Sequence, residues 1–258
     1  METLEKNKKL TERFKALLSI PGNFVALKMM GEMKGFERVK RPKKRLTLCQ
    51  QIAQTYFFGR STLLQVEDIN CYACGEILGL GDMPKEAWKR YVGWLANEEE
   101  VARRIIEAVP KVEKGRYHAV VLTPLQHCPV EPDVVLFAGN AAQMVVVIGA
   151  YLHKRGDPLT FKTTGINTCA AIIVPPINEQ RPSIAITGNA PRLLAFPSDT
   201  DLLCGLPGSL LEELAENMEF MRARGAANYP PGWQHIGQEL QPPIADLLKD
   251  DGEATWLK

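Results

Sequence analysis

The chain has 258 residues, of which 45% are hydrophobic and 24% are charged, and its formal net charge is +1. This length fits one large domain or two modest ones with a sizeable apolar core. A near-neutral balance gives no global field that draws the chain to nucleic acid or to a membrane surface, so we expect neither as a partner.

The start of the chain and its cysteine usage indicate a cellular location. Residues 1–22 are charged and amphipathic and lack the apolar stretch of a secretory signal. The longest apolar run, residues 141–151, is too short to span a bilayer. We therefore expect a cytoplasmic protein whose six cysteines are thiols or metal ligands. Whether Cys128 and Cys204 have a function stays open.

Apolar periodicity and turn residues predict helices that alternate with strands. The predicted helices comprise residues 4–18 and 48–58, a helix at the C-x-x-C pair, one opening at Pro84, and residues 97–109, 140–153, 166–174 and 207–224. The predicted strands comprise residues 23–30, 61–66, 117–124, 133–139, 159–163, 183–187 and 202–206. Residues 226–258 are rich in Pro and Gly and predict an irregular tail on the surface or on a partner chain.

A weak internal symmetry is visible in this pattern. The strand at 24–30 begins a run of strand, helix, strand and helix, and a similar run begins with the strand at 133–139. The last helix of the first run carries Cys71 and that of the second run carries Cys169, each at a strand-to-helix junction. If the repeat is a duplication, two helix starts face each other and share a ligand. The sequence therefore predicts an α/β or α+β fold: a single domain, residues 1–225, of two similar strand–helix lobes with an irregular C-terminal extension.

The stretch EDINCYACGEILGLG contains the most informative motif, the C-x-x-C pair Cys71 and Cys74. Helical spacing puts both sulfurs on one face, and a helix start favours a thiolate. With Cys49 and Cys169 they supply four soft ligands from three predicted helix starts, which suits an iron–sulfur cluster or zinc. Two alternatives stay open: buried thiols that only pack between helices, and a thioredoxin-like redox couple of Cys71 and Cys74.

Four other residues are candidates for an adjoining pocket. Glu67 and Asp68 precede the C-x-x-C pair and suit either helix capping or acid–base catalysis and hard-cation binding. Asn140 opens a helix directly after a strand, which is an anion-friendly arrangement. Arg192 ends the turn TGNAPR and is able to hold a carboxylate or phosphate through two hydrogen bonds.

A basic loop at residues 34–45 carries a cluster of lysines and arginines around Pro42. Such clusters are usually solvated, and the alternative is a contact with an anion or phosphate. Beyond Phe36 no aromatic residue interleaves with the charges, which argues against a platform for single-stranded nucleic acid.

Five separated blocks follow one another in a recognisable order between about residues 20 and 220: RLTLCQQIAQTYFFG, VEDINCYACGEILGLG, LTPLQHCPVEPDVVLFAGNAAQ, INTCAAIIVPPI and DTDLLCGLPGSLLEEL. They resemble the ArCR family (domain of unknown function 169) of anaerobic archaea and bacteria. The resemblance implies no particular activity. It implies that Cys49, Cys71 and Cys169 occupy the family's typical cysteine positions. Gly188 stands where a further cysteine is expected, and Cys74 is the candidate substitute as fourth ligand.

These observations predict a cysteine-ligated metal- or iron–sulfur-binding protein with a redox or small-molecule metabolic role in an anaerobe. The expected cofactor is an iron–sulfur cluster, and zinc is the alternative. The first alternative is a metal-free enzyme or sensor that binds a small-molecule ligand at Asn140 and Arg192. The second is an accessory subunit of a larger enzyme complex, docked through the tail. A homo-oligomer is compatible with each of them.

Overall fold

The computed structural model describes residues 2–32, 34–71, 73–84, 86–93, 95–196, 198–226 and 229. The α-helices are α1 (Glu2–Leu18), α2 (Leu48–Phe58), α3 (Cys74–Ile77), α4 (Glu99–Glu107), α5 (Ala141–Arg155), α6 (Thr168–Asn178), α7 (Asn189–Leu194) and α8 (Leu211–Ala223). The strands are β1 (Val25–Met30), β2 (Thr62–Leu64), β3 (Ala119–Pro124), β4 (Val134–Gly139), β5 (Ser183–Ile186) and β6 (Leu202–Pro207). Most of the predicted tail, residues 226–258, lies outside the described residues.

The six strands form one sheet in the order β2-β3-β1-β4-β6-β5, and every neighbouring pair is antiparallel. The fold is therefore a mixed helix–strand domain, as the sequence predicts. The strand order is symmetric about the β1–β4 pair, because each half places its first strand at the centre and its second at the edge. Both β3 and β6 end in a proline that is followed by a 3₁₀ turn. This arrangement agrees with two similar lobes.

The symmetry of the sheet differs in detail from the internal repeat that the sequence suggests. The structure has no strand at residues 159–163, where most side chains are exposed and the backbone has no sheet partner. Apolar residues there do not produce a strand, because β-propensity depends on packing against cross-strand neighbours. In the two halves of the sheet, β2 and β5 occupy equivalent positions. The helix before β2 is α2, which carries Cys49, and the helix before β5 is α6, which carries Cys169, so these two cysteines are equivalent. Cys71 has no equivalent cysteine in the second half.

The helices pack in two groups around this sheet. Helices α1, α5 and α8 contact one another, while α2 contacts β1 and β3, and α6 contacts β4, β5 and β6. The core is apolar and includes the three contacting rings of Phe14, Phe24 and Phe137. As a result, α2 and α6 both lie over the central strands, and their first turns carry Cys49 and Cys169.

Helix α6 continues through Pro175 and Pro176, where the sequence predicts its end. Pro176 has no N–H to bond the carbonyl of Ile172 four residues earlier. That carbonyl lies against Gly205 of β6, where an added Cβ would stand 1.8 Å from the Ile172 oxygen. Gly205 therefore allows a close approach of α6 to the sheet, and this contact fixes the helix whose first turn carries Cys169.

Three further predictions need correction in their details. Helix α3 begins at Cys74, so Cys71 precedes the helix and does not lie on its face. The helix expected from Pro84 is a 3₁₀ helix, Ala87–Tyr91, and the expected turn before Arg192 is the short helix α7. In such short segments the periodicity of apolar residues does not distinguish an α-helix from a 3₁₀ helix or a turn, because one or two hydrogen bonds make the difference.

Candidate cysteine centre

The candidate site is a group of four cysteines from three separate segments. Cys49 lies in the first turn of α2, Cys169 lies in the first turn of α6, and Cys74 begins α3 with Cys71 just before it. Helix α2 is fixed by a complete capping box between Thr47 and its N3 residue. The Thr47 hydroxyl also lies 3.0 Å from the sulfur of Cys49.

Three of the four sulfur atoms lie close together. The Sγ atoms of Cys71 and Cys74 are 2.8 Å apart, and those of Cys74 and Cys169 are 3.7 Å apart. Cys49 lines the same small apolar cavity as Cys169, and burial, followed by the charges of Cys169 and Cys71, raises the pKa of its thiol. Cys74 and Cys169 are buried, whereas Cys49 and Cys71 are partly exposed. Cys71, Cys74 and Cys169 are therefore joined by sulfur–sulfur contacts, and Cys49 lies beside Cys169.

The pKa values of Cys71 and Cys74 are shifted in opposite directions. The pKa of Cys71 is lowered to about 6, chiefly because the Cys74 thiol donates a hydrogen bond to its sulfur, and backbone N–H groups of Ala73 and Cys74 add to the effect against the cost of burial. The pKa of Cys74 is raised well above its ordinary value by its hydrogen bonds to Cys169 and Cys71 and by complete burial. These shifts favour the thiolate at Cys71, with Cys74 as the thiol that donates to it.

Tyr91 is a neighbour of the centre that sequence reasoning missed. The pKa of its phenol is raised, first by burial and then by the nearby charges of Cys71, Cys74 and Cys169. The sequence places Tyr91 on the apolar face of a helix, and no local motif connects it with the cysteines, which lie in other segments.

The sulfur spacing can be compared with that of a metal site. Four zinc–sulfur bonds of about 2.3 Å in a tetrahedron hold their sulfurs about 3.8 Å apart. The Cys74–Cys169 separation of 3.7 Å matches this edge, whereas the Cys71–Cys74 separation of 2.8 Å is shorter and has to open by about 1 Å on metal binding. Within the described residues, no group of three or more His, Cys, Asp or Glu side chains already has the arrangement of a metal site. The donor chemistry thus suits a soft metal, whereas the sulfurs of the described residues do not have the arrangement of a metal site.

Glu67 and Asp68 lie beside this segment but are held by Arg41. Both oxygens of Asp68 accept hydrogen bonds from the Arg41 guanidinium at 2.8 and 2.9 Å, and Glu67 accepts a third at 2.9 Å. Asp68 also accepts from the backbone N–H of Gln65 at 2.9 Å. The contact with Gln65 caps the short 3₁₀ helix Val66–Asp68, and the contacts with Arg41 attach the basic loop to the segment that leads into Cys71.

Asn140 and Arg192 are not brought together. Asn140 caps α5 by accepting from the N–H of Gln143, and its amide donates to the Tyr229 hydroxyl at 2.8 Å. Arg192 forms an ion pair with Asp199 and lines a cavity of about 580 Å³ beside α7. Asn140 is not among the described residues that line this cavity, so the two candidates do not form one pocket.

The remaining two cysteines belong to the core. Cys128 donates a hydrogen bond to the Val130 carbonyl at 3.2 Å, and burial raises its pKa to about 11. Cys204 is completely buried in β6, and burial alone raises its pKa. Both are neutral thiols at physiological pH and pack as small apolar residues.

With the fold and the centre described, comparison with known proteins adds the family. Residues 13–217 match the family of uncharacterised ArCR proteins, the domain of unknown function 169, and the chain belongs to that family. It is 26% identical over 231 residues to an uncharacterised protein of Methanocaldococcus jannaschii, which covers 86% of this chain and 95% of the relative. No solved structure matches the chain.

One further finding concerns membranes. Among the described residues, none of the helices is both long enough and apolar enough to cross a bilayer.

Proposed function

We propose that this protein is a cytoplasmic, cysteine-ligated metal protein whose centre is formed by Cys49, Cys71, Cys74 and Cys169. The observation that carries the proposal is the meeting of Cys74 with Cys169, 95 residues later, at a sulfur–sulfur distance of 3.7 Å. A single buried thiol packs among aliphatic side chains, whereas the contacting thiols of Cys71, Cys74 and Cys169, with Cys49 beside Cys169, provide four soft ligands.

The electrostatics support the same proposal. Thiolates, and not thiols, bind metal, and the lowered pKa of Cys71 supplies one thiolate at neutral pH without any metal. A bound metal ion would hold the neighbouring sulfurs as thiolates, with release of their protons. Cys74, which donates to Cys71, would then be the second ligand of the C-x-x-C pair.

The spacing favours a single soft ion such as Zn²⁺ over an iron–sulfur cluster, because a cluster needs the sulfurs considerably further apart. Bound zinc would hold the first turns of α2 and α6 and the start of α3 together. A cluster, which we keep as the second occupant, would give the protein a redox role in an anaerobe.

The test is an anaerobic preparation examined for metal content and visible absorption. We expect about one zinc ion per chain and a colourless protein, or iron with sulfide and a brown colour if the occupant is a cluster. Cys169→Ser lowers the metal content strongly, while Cys204→Ser, which changes a buried thiol outside the centre, leaves it unchanged. A metal-free wild-type protein with normal folding rejects the proposal.

A second candidate, a dithiol–disulfide couple, is favoured by the 2.8 Å separation of the Cys71 and Cys74 sulfurs. Cys71, with its low pKa, is the attacking thiolate, and Cys74 is the resolving thiol that closes the disulfide. Equilibration with glutathione buffers followed by mass measurement separates the two proposals. A couple loses two hydrogen atoms reversibly in the metal-free protein, and Cys74→Ser abolishes the change.

The small-molecule alternative now depends on Arg192 alone, since Asn140 does not line the same cavity. Docking to a larger enzyme complex, or to a second copy of the chain, remains a proposal that concerns the tail, and native mass measurement tests it.

A further inference from the structure

A basic cavity of about 420 Å³ opens between the loop that precedes α2, α2 itself and the start of β2. Among the described residues that line it, none is acidic. Its cationic side chains are Lys40, Arg41, Lys43, Lys44 and Arg60. The basic loop of the sequence therefore forms one wall of a concave site.

Most of this positive charge is not neutralised by the protein. Arg41 is the exception, because it is bound by Asp68 and Glu67. Arg60 donates to the neutral amide oxygen of Gln54 at 2.7 Å. In the described part of the chain, no carboxylate forms an ion pair with the three lysines of the cavity. Four positive charges around one cavity thus remain available to an anion.

Two buried polar groups at the cavity wall also have no protein partner. Gln51 is 3% exposed and its Nε2 amide makes no hydrogen bond, and Thr62 is 7% exposed with an unpaired Oγ1. Buried donors are normally paired, since leaving one unpaired costs free energy. Both residues line the same cavity as the lysines, but each unpaired atom is itself buried, so an acceptor in the cavity reaches it once the side chain turns toward the cavity.

We propose that this basic cavity binds a small phosphate-bearing ligand, with Gln51 and Thr62 donating to phosphate oxygens and the lysines and Arg60 balancing the charge. The volume lies within the range of about 300–1,000 Å³ that is typical of small-molecule sites. A multiply charged phosphate or diphosphate matches four uncompensated cations better than a single carboxylate does. The inference does not depend on the cysteine centre.

A nucleic-acid strand is the less favoured ligand. No aromatic side chain is among the described residues that line the cavity, so the cavity wall itself offers no aromatic ring for a base to stack on. The buried donors of Gln51 and Thr62 suit the end of a small anion and not a backbone that passes across an open surface.

The experiment is calorimetric titration of the full chain with inorganic phosphate, pyrophosphate and AMP at constant ionic strength. We expect saturable binding, with pyrophosphate tighter than phosphate. Gln51→Leu, which is close in shape but cannot donate, weakens binding about tenfold or more. Because a buried substitution can disturb folding, the double variant K43Q/K44Q provides a second test on exposed residues. Lys9→Gln, an exposed lysine of α1 outside the cavity, is the matched control and binds as wild type does.

Three outcomes overturn the proposal. The first is absence of saturable heat with any of the three probes up to about 1 mM. The second is binding that Gln51→Leu, folded by circular dichroism, and K43Q/K44Q leave unchanged. The third is binding of single-stranded RNA in place of the small probes, with an affinity that simply falls as salt rises.

Discussion

The lowered pKa of Cys71 makes a quantitative prediction for alkylation. The hydrogen bond from Cys74 lowers the pKa of this thiol from its ordinary value of 9.0 to about 6. At about pH 7 the thiolate fraction is then about 90% instead of about 1%, which is a gain of about 90-fold. A thiolate of low pKa is intrinsically less nucleophilic, by a factor of about 16 to 32 over this interval. The net result is alkylation about three to six times faster than for the unfolded chain.

At alkaline pH we expect Cys71 to react more slowly in the folded protein than in the unfolded chain. At about pH 9 the unfolded thiol is half ionised and keeps its higher nucleophilicity, so Cys71 in the folded protein reacts about 8 to 16 times more slowly. The assay is iodoacetamide labelling of reduced, chelator-treated protein across this pH range, with each cysteine followed by peptide mass spectrometry. The rate at Cys71 rises with a midpoint near the pKa of about 6 and is then flat.

The control variants locate the cause. Cys74→Ala removes the thiol that donates to Cys71, so the midpoint of Cys71 moves upward toward the ordinary value. Cys128→Ala changes a thiol that donates to a backbone carbonyl elsewhere, and the midpoint stays in place. A Cys71 midpoint near the ordinary value in the folded wild type, or faster labelling of Cys74 than of Cys71, refutes the reasoning.

Two further predictions concern the fold that positions the centre. Gly205→Ala places a methyl group on the Ile172 carbonyl and destabilises the protein by about 1–3 kcal/mol or more, while Gly31→Ala, which has free space, changes stability by about 0.5 kcal/mol or less in urea titrations. Equal midpoints for both variants would contradict the close approach of α6 to β6. Asn140→Ala removes the cap of α5 and costs about 1 kcal/mol, whereas Asn140→Ser retains most of it. Thermal unfolding that does not distinguish these two variants would argue against the cap.

The sequence predicts the long elements well, because their signals are local. The boundaries of α2 follow from Thr47 and Gly59, which cap it as expected. The apolar run of β4 correctly indicates a strand inside the sheet. Two predictions are wrong: a strand at residues 159–163, which the structure lacks, and an end of α6 at its two prolines, through which the helix continues. Tertiary contacts decide both features, so the local sequence does not reveal them.

The convergence of the cysteines is predictable only in part. Spacing connects Cys71 with Cys74, and the two helix starts suggest Cys49 and Cys169. The basic cavity is not predictable from local sequence patterns, because its wall combines a loop, one face of α2 and an edge strand. The unpaired amide of Gln51 is visible only in the folded chain.

The measurement that tests the central claim most directly is X-ray absorption at the metal edge of the anaerobically purified protein. The account predicts a first shell of sulfur at about 2.3 Å that is close to four atoms in the wild type. In Cys169→Ser the sulfur count falls by one, and in Cys204→Ser it does not change. A first shell of nitrogen and oxygen, or the same sulfur count in Cys169→Ser as in the wild type, would contradict a centre built from these four cysteines.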